Sequence, residues 1–151
     1  VVKKVRHLLS QEAERVNALA GSSASSSPKA NILFIEDDVL YTEVLQIHFA
    51  KKNLKLLIAF NVEQARKILT ENKIDVILLD IILPKVDGFI FLQELKSNEQ
   101  WKHIPVIIAS NLGQKEEINK GIRYGAIDYI IKAHTLPSEI VAKVEEVVHN
   151  K

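Results

Sequence analysis

Residues 74–88 read IDVILLDIILPKVDG, and the fold turns on how the middle of that stretch is understood. Val76, Ile77, Leu78 and Leu79 form an unbroken apolar run of strand length, not the alternation of a strand with one wet face. A strand covered on both faces belongs to a parallel sheet, whose crossovers each need a helix. The run stops abruptly at Asp80, and Pro84 and Gly88 mark a loop before helical spacing begins. Working outward, Ile32 to Ile35, Leu56 to Ala59, Ile104 to Ala109 and Ile127 to Ile131 read as further strands beside Ile74 to Leu79. Helical spacing follows them near 38–52, 62–72, 88–98, 114–123 and 137–149. Five strand-then-helix units predict an α/β fold, a doubly wound five-stranded parallel sheet of flavodoxin-like form.

In such sheets ligands bind beyond the carboxyl ends of the strands, so the residues standing there matter most. The first strand ends in Glu36, Asp37 and Asp38, the third in Asp80, the fourth in Ser110 and Asn111, and the fifth in Lys132. Each has an ordinary structural explanation. Acids suit a helix N-terminus, Ser110 is a fair cap, Asp80 a fair turn residue, and Lys132 a fair surface cation. Their convergence on one sheet edge argues for chemistry, and the chemistry these residue types support is phosphoryl transfer to a carboxylate. Asp80 is the candidate nucleophile. Hard carboxylate oxygens of Glu36, Asp37 and Asp80 suit Mg²⁺ or Mn²⁺, while Lys132 and Ser110 would meet phosphoryl oxygens as a point charge and a hydrogen-bond donor.

The remainder of the sequence narrows the setting. Among 151 residues 47% are apolar and 26% charged, a balance that fits a globular domain and not a disordered chain. No apolar run approaches the ~20 residues of a membrane span, so no membrane partner is expected. With no cysteine there is no disulfide framework and no thiolate site, which fits a cytoplasmic location. The lysines are scattered instead of massed on one stretch, so no nucleic-acid contact is expected. Val2, Val5, Leu9, Val16 and Leu19 recur at helical spacing, predicting an amphipathic helical extension over 1–20. A Ser-rich linker over 21–29 separates it from the domain over 30–151. A helix of that length needs packing to be stable, which leaves a homodimer open as an assembly.

These motifs resemble the receiver domain of two-component response regulators, over essentially all of 30–151. The segment Ile32 to Asp38 resembles the family's first strand and acidic pair, placed here at Glu36 and Asp37. The stretch Val76 to Gly88 resembles the phosphorylation-site strand and loop, Ile104 to Ser110 the hydroxyl strand, and Gly125 to Lys132 the lysine strand. Asp37 lies 43 residues before Asp80, and Ser110 and Lys132 lie 30 and 52 after it, as that pattern expects. The resemblance implies that Asp80 is phosphorylated, that the Ile82 carbonyl is a further metal ligand, and that Ser110 and Tyr129 form the switch. It also implies a sensor histidine kinase or histidine phosphotransfer protein as donor and a downstream effector protein as reader, since no output segment is recognisable after the last helix. The result would be a self-phosphorylating and self-dephosphorylating switch instead of a turnover enzyme. Two positions depart from the pattern: Ala133 replaces the usual proline after the lysine, and Asn111 replaces a smaller residue beside the hydroxyl. A phosphorylation-independent scaffold is the alternative, and loss of Asp80 or Lys132 would have favoured it. A phosphohydrolase with an Asp-x-Asp nucleophile is disfavoured because Ile81 and Ile82 follow Asp80.

Overall fold

The structure is a computed structural model and describes residues 27–150. The helix expected over 1–20 and all but the last three residues of the 21–29 linker lie outside the described residues. Five strands alternate with five helices: β1 Ala30–Ile35, α1 Val39–Ala50, β2 Leu54–Ala59, α2 Val62–Glu71, β3 Val76–Leu79, α3 Gly88–Ser97, β4 Val106–Ser110, α4 Lys115–Arg123, β5 Asp128–Ile131 and α5 Pro137–His149. All strand pairs are parallel, in the order β2-β1-β3-β4-β5. The doubly wound, flavodoxin-like expectation therefore holds.

Successive side chains of a strand point to opposite faces, and both faces are apolar here. Leu33, Ile35, Ile77, Leu79 and Ile108 meet Ala65 and Leu69 of α2 and Phe91, Leu92 and Leu95 of α3. Ile32, Phe34, Val76, Leu78, Ile107 and Ala109 meet Leu45 and Phe49 of α1 and Ile140, Val141 and Val144 of α5. Complete burial of β3 is thus the reason its sequence carries no alternation. No helix among the described residues is long and apolar enough to cross a membrane.

The chain first steps outward from β1 to β2, then returns over β1 to place β3 on its other side. That reversal puts the topological switch point between the carboxyl ends of β1 and β3, where Glu36 and Asp80 stand. Several boundaries differ from the sequence reading, with identifiable causes. Ile74 and Ile104 are buried yet precede the regular strands, because an apolar run reports burial and not ladder pairing. The edge strand β2 begins two residues before the expected Leu56, its start masked by exposed Lys55 between Leu54 and Leu56. Ser110 belongs to the ladder, opposite Ile131, instead of following it. A short 3₁₀ turn, Lys132–His134, was not foreseen.

Candidate functional site

The three adjacent acids divide their work. Asp38 is the N-cap of α1, its carboxylate accepting the Tyr41 N–H at 3.1 Å. Glu36 is turned inward and buried, and one of its oxygens accepts the Asp38 N–H at 3.2 Å. Asp37 stays exposed at the rim. The helix-cap explanation thus holds for one acid and leaves the other two available.

Asp80 directly follows β3 and is only 4% exposed. Its two oxygens face different donors: Oδ1 accepts the Ile82 N–H at 3.1 Å, and Oδ2 accepts from Lys132 Nζ at 3.0 Å. The loop that carries it is drawn tight by Gly88, whose N–H donates to the Ile81 carbonyl at 2.9 Å. A Cβ at Gly88 would stand 2.4 Å from Ile81 Cα and 2.7 Å from the Asp80 carbonyl oxygen, so only glycine permits this approach. Lys132, at the opening of the 3₁₀ turn after β5, reaches across to Glu36 Oε1 at 2.5 Å as well. Carboxylate oxygens of Glu36, Asp37 and Asp80 all lie within 4.8 Å of one another. Three hard oxygen donors at that spacing could hold a divalent metal ion.

Electrostatics follow from this crowding. Burial pushes the Glu36 carboxyl up to about 7, with the Lys132 hydrogen bond opposing and the Asp80 charge reinforcing the rise. Burial alone would lower the Lys132 ammonium, but the Glu36 hydrogen bond and the charges of Asp80 and Glu36 outweigh it and hold it above its ordinary value. Two carboxyl groups share one lysine, so when Glu36 is ionised the pair carries excess negative charge that a cation would neutralise.

Ser110 closes β4 and is wholly buried. Its hydroxyl accepts the Leu112 N–H at 3.3 Å, so the structure places it at the same sheet edge, engaged with its own loop. Tyr129 of β5 donates its hydroxyl to the Leu112 carbonyl. Ile82 lies in the loop beyond Asp80, with its side chain largely exposed and its N–H on Asp80.

Two neighbours make contacts that the sequence reading did not foresee. Tyr41 of α1 lays its ring 5.1 Å from Lys132 Nζ, and Phe34 backs that ring edge-on at 6.0 Å between centroids. Its hydroxyl is buried without a hydrogen-bond partner among the described residues, and burial pushes the phenol up to about 12. Asn111, noted as a departure from the family pattern, accepts the Ala133 N–H at 2.9 Å through Oδ1. An aromatic residue four positions beyond Asp37 on a helix was the signal available for Tyr41. No peptide bond among the described residues is cis, so the bond preceding Ala133 is trans.

Comparison with known proteins places these observations in context. The family model described as the response regulator receiver domain matches residues 32–145. The phosphate regulon transcriptional regulatory protein PhoB of Pseudomonas aeruginosa is 32% identical over 117 residues, covering 78% of this chain and 51% of that protein. The chain spans about half the length of the curated relatives it matches. Among solved structures, the Francisella response regulator 1452 receiver domain matches with a TM-score of 0.73 and 26% identity, over 80% of this chain and 98% of that one. The BeF3-activated N-terminal receiver domain of Klebsiella pneumoniae RstA matches with a TM-score of 0.71 and 26% identity, over 78% and 97%.

Proposed function

The chain belongs to the response regulator receiver domain family, and from that premise we propose that it is a phosphoryl-accepting switch with Asp80 as acceptor. The observation that carries this reading is the setting of Asp80: buried, gripped by Lys132 at 3.0 Å and the Ile82 N–H at 3.1 Å, within a three-carboxylate cluster. An Asp80 oxygen attacks phosphorus, the P–N bond to a donor imidazole breaks, and the imidazole nitrogen takes a proton from solvent. Hydrolysis reverses the gain, water attacking phosphorus and Asp80 leaving as carboxylate with release of inorganic phosphate.

Little covalent work falls to the protein in such a transfer, so positioning and charge neutralisation dominate. Glu36, Asp37 and Asp80, with the Ile82 carbonyl, would hold Mg²⁺ or Mn²⁺, which supplies charge neutralisation between acceptor and donor when bound. Lys132, already within reach of Asp80, meets a transferred phosphoryl oxygen. Ser110 turns its hydroxyl from the Leu112 N–H toward a second oxygen. A sensor histidine kinase or histidine phosphotransfer protein is the donor. Leu40, 74% exposed on the first turn of α1 just after the Asp38 cap, offers an apolar contact for it. The reader is a separate effector or, as the transcriptional-regulator names of the relatives suggest, a DNA-binding output segment.

Incubating the protein with acetyl phosphate and Mg²⁺ and measuring intact mass tests the assignment. Wild type should gain one phosphoryl mass and Asp80→Asn none. A label recovered on a His- or Ser-containing peptide would overturn the acceptor, and an unchanged rate in chelator would overturn the metal role of Glu36 and Asp37.

A further inference from the structure

Asn111 and Ala133, the two departures from the receiver pattern, have no part in the chemistry above, yet the structure joins them through the 2.9 Å bond from the Ala133 N–H to Asn111 Oδ1. The bond spans two chain segments. Asn111 directly follows Ser110, the last residue of β4, and Ala133 directly follows Lys132. The β4–β5 ladder ends at the Ser110–Ile131 pair, so the Lys132 backbone lies one residue past the last rung.

Local bonds within the turn restrain it only against its own strand: the Thr135 N–H to the Lys132 carbonyl at 3.3 Å, and Thr135 Oγ1 to the Ile131 carbonyl at 2.9 Å. Among the described residues, the Asn111–Ala133 bond is the side-chain hydrogen bond that ties this turn to the end of β4 beyond the ladder. We infer that Asn111 is a positioning residue that, through the Ala133 N–H, sets the separation between the Ser110 hydroxyl and the Lys132 ammonium. This inference rests on Asp80 being the phosphoryl acceptor.

The physical reason lies in which contacts survive the reaction. Before transfer the Lys132 ammonium is held at its far end by Glu36 and Asp80. Once Asp80 carries a phosphoryl group its charge and shape change, and the ammonium must follow the new oxygens on a flexible four-carbon stem. Its reach is then set by where the backbone is anchored, and the Asn111 bond is untouched by the chemistry. An amide oxygen suits this task, because it accepts an N–H without placing a negative charge beside an incoming anion. Residue 133 must also keep an N–H, which proline lacks. The two departures are therefore a matched pair: asparagine at 111 has a partner only because residue 133 is not proline.

The test uses the full chain labelled by acetyl phosphate at saturating Mg²⁺, comparing wild type, Asn111→Ala, Ala133→Pro and the double variant. Asn111→Ala should lower the initial labelling rate by about ten- to a hundredfold, approaching the ~10²-fold cost of a ~1 Å misplacement. Its Mg²⁺ dissociation constant, measured by calorimetry, should match wild type, because Glu36, Asp37 and Asp80 are untouched. The double variant should be no slower than the slower single one, since both changes remove the same bond. Wild-type labelling by Asn111→Ala, loss of Mg²⁺ affinity in step with rate, or multiplied losses in the double variant would each overturn the inference. Should Ala133→Pro fail to fold, the rate-against-affinity split in Asn111→Ala decides alone. Wild type that takes no label at all would instead refute the acceptor reading beneath it.

Discussion

The peptide group of Leu112 is where the two switch candidates meet. Its N–H donates to the Ser110 hydroxyl at 3.3 Å, and its carbonyl accepts from the Tyr129 hydroxyl. If Ser110 turns toward a phosphoryl oxygen, the Leu112 N–H loses its partner, and the loop that also holds Tyr129 must rearrange. Tyr129 sits close against Gly121 of α4, where a Cβ would come within 3.2 Å of its ring and 2.4 Å of Ile108 Cδ1. The route from site to α4 is therefore short, and a population shift along it requires each of these contacts to take a second arrangement when Asp80 is phosphorylated. Ser110→Ala should still label at Asp80, slowed about tenfold or somewhat more for one lost hydrogen bond to a charged phosphoryl oxygen. The phosphorylation-induced amide-shift changes at Tyr129 and along α4 should shrink sharply in that variant. Changes of equal size in wild type and variant would break the coupling.

Elements are joined at the surface as well as through the core. Arg66 of α2 grips Glu94 of α3 with two parallel bonds of 2.8 and 2.7 Å, and the guanidinium also lies 5.8 Å from the Phe91 ring. The Arg66 hydrogen bond holds the Glu94 carboxyl below its ordinary value, with burial opposing. A depressed carboxyl contributes stability that is present above its unfolded value of about 4.3 and is lost as pH falls through the lower folded value. Both side chains are over a third exposed, so screening confines the contribution to about 0.5 kcal/mol. Glu94→Gln should therefore lower the urea midpoint slightly at pH 7, and the difference from wild type should shrink as pH falls below about 4.3. A deficit that persists unchanged in acid would mean that packing, and not charge, is what the glutamate supplies.

For the molecule as a whole, the described fold encloses both faces of its sheet without residues 1–26. The chain enters beside the α1–β2 turn, where the Lys29 N–H donates to the Asn53 carbonyl and Asn53 Nδ2 to the Ser27 carbonyl. Deleting residues 1–26 retains both bonds. The shortened protein should label at Asp80 at the wild-type rate and keep its urea midpoint, while its solution mass shows whether the segment drives pairing. Loss of labelling in a still-folded product would mean that the domain boundary or the site is misplaced. The order of strands and helices was legible in the sequence because parallel-strand burial writes itself as unbroken apolar runs such as Val76 to Leu79. The positions of Glu36, Asp80, Ser110 and Lys132 were legible because charge or hydroxyl ends each run, and this architecture gathers strand ends at one edge. What tertiary structure alone decided is how those residues are used. Asp38 caps a helix while its neighbour Glu36 turns inward to Lys132, Tyr41 lies beneath that lysine, and Asn111 reaches Ala133 across 22 residues. Periodicity records which face of an element is buried, whereas a hydrogen bond or ring contact between two elements depends on their relative placement, and no single segment of chain encodes that.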